Sequence, residues 1–84
     1  MPKTSIAVLP FRNLSPSSEP DYLSDGMTEE IINALTKVDG LKVTSRRSSF
    51  YFKGKDVPLQ DVAEELKVAV VLEGSVRLAG PLLR

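Results

Sequence analysis

Four basic residues and three consecutive aromatics fall within one stretch, Ser45-Arg46-Arg47-Ser48-Ser49-Phe50-Tyr51-Phe52-Lys53-Gly54-Lys55, with no acid before Asp56. Two chemistries suit that pattern. Bases can stack on the rings while arginines hold phosphates, as in single-stranded nucleic-acid platforms. Ser48 and Ser49, with charge from Arg46 or Arg47, can instead cradle an anion. The packing alternative is a short helical turn joining strand to helix. Phe50, with Phe52 beside it, then plugs the core, and Arg46, Arg47, Lys53 and Lys55 stay in water. Three successive aromatics cannot all face one way, and a small core needs them, so packing is the favoured reading. On that reading Phe50→Ala costs about 3–5 kcal/mol, as truncation of a buried Phe does.

The acids offer less. Asp21, Asp25 and Glu29 lie four apart and can share a helical face, which raises a hard cation. The segment from Asp21 starts like a calcium loop, with Gly26 in sixth place, but Leu23 and Ile32 stand where ligands belong. Helix-dipole compensation is the simpler account. Glu64 and Glu65 are adjacent and point about 100° apart on a helix, so they form no catalytic dyad. Lys53-Gly54-Lys55-Asp56 lacks the upstream glycine and the Ser/Thr of a phosphate-binding loop. Glu73, beside Gly74 in an otherwise apolar run, reads as a strand emerging into solvent with Arg77 on its side. If a site lies there, Glu73 and Arg77 contribute to it.

No histidine or cysteine occurs among the 84 residues. That removes disulfides, thiolate chemistry, the usual zinc sets and every imidazole-based triad. Nothing calls for a metal or a cofactor, and the sequence argues against an enzyme. Formal net charge is zero. The basic stretch contributes four positive charges, so the remainder is net negative by four, unlike the overall basic surplus of a dedicated nucleic-acid binder. No apolar run approaches the ~20 residues of a membrane span. Compartment stays open.

The elements that must position these residues follow from periodicity. Ser5 to Phe11, "SIAVLPF", reads as a strand buried on both faces. Arg12 to Pro20 reads as a loop. From about Asp21 to Val38, Leu23, Met27, Ile31, Ala34, Leu35 and Val38 make one apolar helical stripe. Gly26 either sits within that helix, in close approach to the sheet, or precedes it. Leu41 to Ser45 forms a second strand. Asp56 and Pro58 open a second helix carrying Leu59, Val62, Ala63 and Leu66. Val68 to Leu72, continuing to Val76, is the last strand, and Gly74 marks a bulge or tight crossing. The order β-α-β-(turn)-α-β calls for a single α/β domain over residues 1–84, its core at about 5–80, with a small mixed sheet packed by helices.

The phrases "SIAVLPFRNLS", "DYLSDGMTEEIINALTKVDGLKVTSRRSSFYFKGK" and "DVAEELKVAVVLEGSVRLAG" resemble the TolB amino-terminal-like domain over about Ser5 to Gly80. That module accompanies tetratricopeptide repeats and cyclase, kinase or DNA-binding effector domains in bacterial proteins. The resemblance implies an anticodon-binding-domain-like α/β sandwich and carries no catalytic residue to a position here. Relatives continue past Gly80 into another strand, whereas this chain ends at Arg84, so the resemblance implies an excised domain without its final strand. The strand from Val68 to Arg77 then has an open edge through which the chain can self-associate.

Together these readings describe a non-catalytic accessory, interaction or signal-relay domain of a larger bacterial regulatory or repeat-containing protein. Its partners are protein, either neighbouring repeats or a peptide, and neither membrane insertion nor nucleic acid is favoured. The candidate binding residues are Arg46, Arg47, Ser48, Ser49, Glu73 and Arg77. Two alternatives are a small-ligand sensor, with a pocket between the first strand, the 12–20 loop and the long helix, and single-stranded nucleic-acid binding through 46–55.

Overall fold

In a computed structural model, residues 4–14 and 21–77 are described. Strand β1 (Thr4–Val8) occupies the centre of the sheet, with β3 (Leu41–Val43) on one side and β4 (Val70–Leu72) on the other. Both neighbours run parallel to it. Ala7 and Val8 point to opposite faces, and both are fully buried, which a strand covered on both sides requires.

Pro10 has no N–H and interrupts the ladder. The chain then resumes pairing as β2 (Arg12–Asn13) beside β5 (Ser75–Val76), again in parallel. Val8 faces Leu72 and Arg12 faces Ser75, so Leu9, Pro10 and Phe11 stand opposite only Glu73 and Gly74. This is a bulge. Bonds from Leu9 N–H to the Leu72 carbonyl (2.9 Å) and from Arg12 N–H to the Gly74 carbonyl (3.0 Å) close it at either end. Gly74 suits the close approach there: a Cβ would sit 3.3 Å from the Phe11 ring, which would have to give way slightly to admit it. The loop expected from Arg12 is therefore partly strand, and the rest of it, 15–20, lies outside the described residues. So does 78–84, where the expected loss of a final strand falls. Every strand pair among the described residues is parallel, so the mixed sheet expected from the sequence is seen here only in its parallel part.

Helix α1 (Tyr22–Leu35) connects β1 and β2 to β3, while α2 (Arg46–Phe50) and α3 (Leu59–Leu66) connect β3 to β4. The first connection moves outward from β1 and the second moves back across it. Right-handed crossovers then place α1 on one face and α3 on the other. Gly26 lies within α1, and no atom approaches where its Cβ would sit, so the expected close approach to the sheet is absent. The strand expected to reach Ser45 stops at Val43 because Ser45 is the N-cap of α2, its hydroxyl accepting from Ser48 N–H at 3.3 Å. Helix α3 ends in a left-handed residue, Lys67 (φ 57°), with Val68 N–H bonded to the Ala63 carbonyl and Lys67 N–H to that of Glu64. This is a Schellman closure with lysine where glycine is usual.

Packing corrects two expectations. The buried positions of α1 are Ser24, Thr28 and Ile32, one residue on from the stripe of Leu23 and Met27, which stay exposed. One residue is about 100° of rotation. The aromatic that plugs the core is Phe52, 6% exposed, clustered with Leu9 and Val62 and flanked by Val57, Leu66 and Val71. Phe50 is half-buried under the Arg46 guanidinium, 4.1 Å from its ring centre. Phe52→Ala is expected to cost about 3–5 kcal/mol in urea unfolding and Phe50→Ala clearly less. Equal losses would show that the two rings share the core role.

Candidate functional site

In a parallel sheet whose first strand is central, successive connections leave its carboxyl end in opposite directions. They open a crevice at that switch point, where open α/β sheets bind ligands. A cleft of about 550 Å³ lies there. One wall is the bulge and β2, from Leu9 to Asn13. Asp21 stands at the start of α1, and the segment Phe52 to Asp56 between α2 and α3 closes the other side.

Lys53 ties the two walls together. Its Nζ reaches Asp25 Oδ2 at 2.5 Å and Asp21 Oδ2 at 3.3 Å, and Asn13 Nδ2 donates to Asp21 Oδ1 at 3.3 Å. The Asn13 amide, then the Lys53 ammonium, hold the Asp21 carboxyl below its ordinary value. The hydrogen bond that Lys53 donates to Asp25 is the main cause that lifts the Lys53 ammonium above its own ordinary value. Beneath the cleft, Phe11 N–H, which the bulge deprives of a strand partner, donates to Thr28 Oγ1 at 2.9 Å. Thr28 in turn donates to the Ser24 carbonyl at 2.8 Å. With Thr28 fully buried, this polar pair is what turns α1 away from its apolar stripe.

Other charges on the cleft are uncommitted. Among the described residues no ion pair engages Arg12 or Asp56. The ammonium of Lys55 lies 3.4 Å from the centre of the Tyr51 ring. None of the six candidate binding residues, Arg46, Arg47, Ser48, Ser49, Glu73 and Arg77, lines this cleft, although Asp21, Phe52, Lys53 and Lys55 do. Arg46 Nε instead pairs with Glu29 Oε2 at 3.1 Å. Ser48 bonds Ser45, and Ser49 is 0% exposed, so an external anion cannot reach it. Arg47 is exposed, as are Glu73 and Arg77, and no ion pair joins those last two.

Thus the acids at four-residue spacing meet the basic stretch rather than a metal: Asp21 and Asp25 face Lys53, and Glu29 faces Arg46. No cluster of three or more metal-ligating side chains occurs among the described residues. Nor is any described helix long and apolar enough to cross a membrane. The small-ligand alternative puts a pocket beside the 12–20 loop but singles out neither Arg12 nor Asn13, and Asp56 is read only as opening a helix; the available signal was their position just past the carboxyl end of a strand and in the loop facing it.

Compared with known proteins, the chain is 54% identical over 82 residues to a Rhizobium meliloti (strain 1021) protein named "Putative adenylate cyclase 3". The match takes in 98% of this chain and only 14% of that protein. No family model matches the chain, and no solved structure does.

Two outcomes check the site. Thr28→Val, close in shape but without an acceptor, strands the Phe11 N–H and is expected to cost about 1–3 kcal/mol; an unchanged urea midpoint would show that another group serves it. The depressed Asp21 carboxyl contributes stability that is complete above its unfolded value near 3.8 and is lost as pH falls through its lower native value. The stability gap between the parent and Asp21→Asn should therefore be flat at neutral pH and close in that acid range, read as urea midpoint against pH. A gap that persists at low pH would assign the effect to something other than charge.

Proposed function

We propose that this chain is a non-catalytic accessory domain of a larger bacterial regulatory protein of the cyclase type, docking on the rest of that protein and relaying signals to it. The observation that carries this reading is the match itself: nearly all of this chain corresponds to a small fraction of a much longer relative. Kinship with the TolB amino-terminal-like domain and its anticodon-binding-like sandwich belongs to the same proposal, supported by the strand–helix–strand phrases and the α/β layering.

The surface suited to docking is the open side of β4. In parallel register Val70 and Leu72 share a face with Ile6 and Val8, opposite the Val71 side packed on α3. Helix α1 covers β1 and β3 on that face, leaving Val70 43% and Leu72 37% exposed. Leu23 and Met27 on α1 are exposed too. An apolar strip beside a strand edge that is unpaired among the described residues suits an added strand or helix from a neighbouring domain. The nucleic-acid alternative loses support because Arg46 and Lys53 are engaged within the domain. In a full-length protein of this type, Val70→Lys with Leu72→Lys should change cyclase output several-fold while the isolated domain keeps its melting temperature. Unaltered output would remove this edge as the relay, and a concentration-dependent dimer of the isolated chain, abolished by the same pair, would assign the edge to self-association.

A further inference from the structure

We propose that the cleft at the carboxyl end of β1 binds a small zwitterion of the free amino-acid class. The inference stands on the cleft alone and does not depend on a cyclase context. Its volume of about 550 Å³ falls within the range of small-molecule sites, and its floor is apolar, from Leu9, Pro10 and Phe52.

The charges select the ligand. Lys53 is already neutralised by Asp21 and Asp25, so the groups free to act are Arg12 and Lys55 of one sign and Asp56 of the other. Arg12 presents a planar fork that matches a carboxylate in two parallel bonds. Lys55 rests on an exposed aromatic face, a contact weak enough to exchange for an anion. Asp56, from the opposite wall, suits an ammonium. A phosphate dianion would meet Asp21 and Asp56, and a metal cation would meet Arg12, Lys53 and Lys55. A molecule carrying one charge of each sign satisfies both sets, with its apolar body over Phe52.

Amide chemical shifts of the chain titrated with leucine, phenylalanine, glutamate and lysine read the site directly. Saturable changes are expected at Arg12, Asn13, Gly54, Lys55 and Asp56 with at least one of these, at millimolar concentration or below, roughly the scale of −4 kcal/mol. N-acetylation or C-amidation of that amino acid should each weaken binding about tenfold or more, as should Arg12→Ala and Asp56→Asn, each the loss of a charged hydrogen bond. Both substitutions fall on exposed side chains, so folding is retained. Absence of saturation with all four amino acids at about 10 mM would overturn the proposal. Equal binding of the acetylated or amidated forms, or tighter binding of inorganic phosphate, would overturn the zwitterion assignment.

Discussion

A single hydrogen bond, from the Phe11 backbone to the buried Thr28 hydroxyl, governs how the long helix sits on the sheet. The proline bulge after β1 removes that N–H from the ladder, and a buried backbone donor must find an acceptor. Thr28 is the residue that supplies one, and it can do so only if the face of α1 carrying Ser24, Thr28 and Ile32 turns inward. The remainder of that orientation follows. Leu23 and Met27 rotate toward solvent, Asp21 and Asp25 swing to the side of the α2–α3 segment, and Lys53 finds both carboxylates within reach. One unpaired amide thus sets both the apolar strip and the charged staple across the cleft.

The basic-aromatic segment has a role that neither extreme reading of it captures. It is not a free binding stripe, and its charges are not idle. Phe52 enters the core, Phe50 and Tyr51 carry cations on their faces, and Arg46 and Lys53 meet the acids of α1. Most of these ion pairs are exposed and individually worth little. Their effect is geometric: they fix the α2 segment along α1 and so hold the wall of the cleft opposite Arg12.

The order of strands and helices was legible from the sequence because apolar runs and alternating elements follow backbone periodicity. "SIAV", "LKV" and "VVL" lie in the three parallel strands, and Val62 and Leu66 form the inward face of α3, while Leu59, expected on the same face, stays exposed. The bulge was foreshadowed by Gly74. The rotation of α1 was not legible, since hydropathy ranks Leu23 and Met27 above Ser24 and Thr28, and only the stranded amide reverses that ranking. The choice of Phe52 over Phe50 was open for a similar reason: neighbouring aromatics differ by a rotation, and only the packing of Leu9 and Val62 around Phe52 selects one. Ser49 carried a hydroxyl that suggested an anion site, yet burial decides access. Arg12 and Asp56, distant in sequence, come to line one cleft only through topology.

Placing the first strand in the middle of the sheet has a consequence for how the protein is made. The amino-terminal segment leaves the ribosome first, but its two neighbours come from residues 41–43 and 70–72, and the bulge is completed only by 74–76. Nascent chain lacking those residues has a central strand without flanks, and loop closure over more than sixty residues must precede the last pairing. Complete pairing of the first strand is therefore deferred until residues 70–76 have emerged, and until then one of its edges lacks a neighbour.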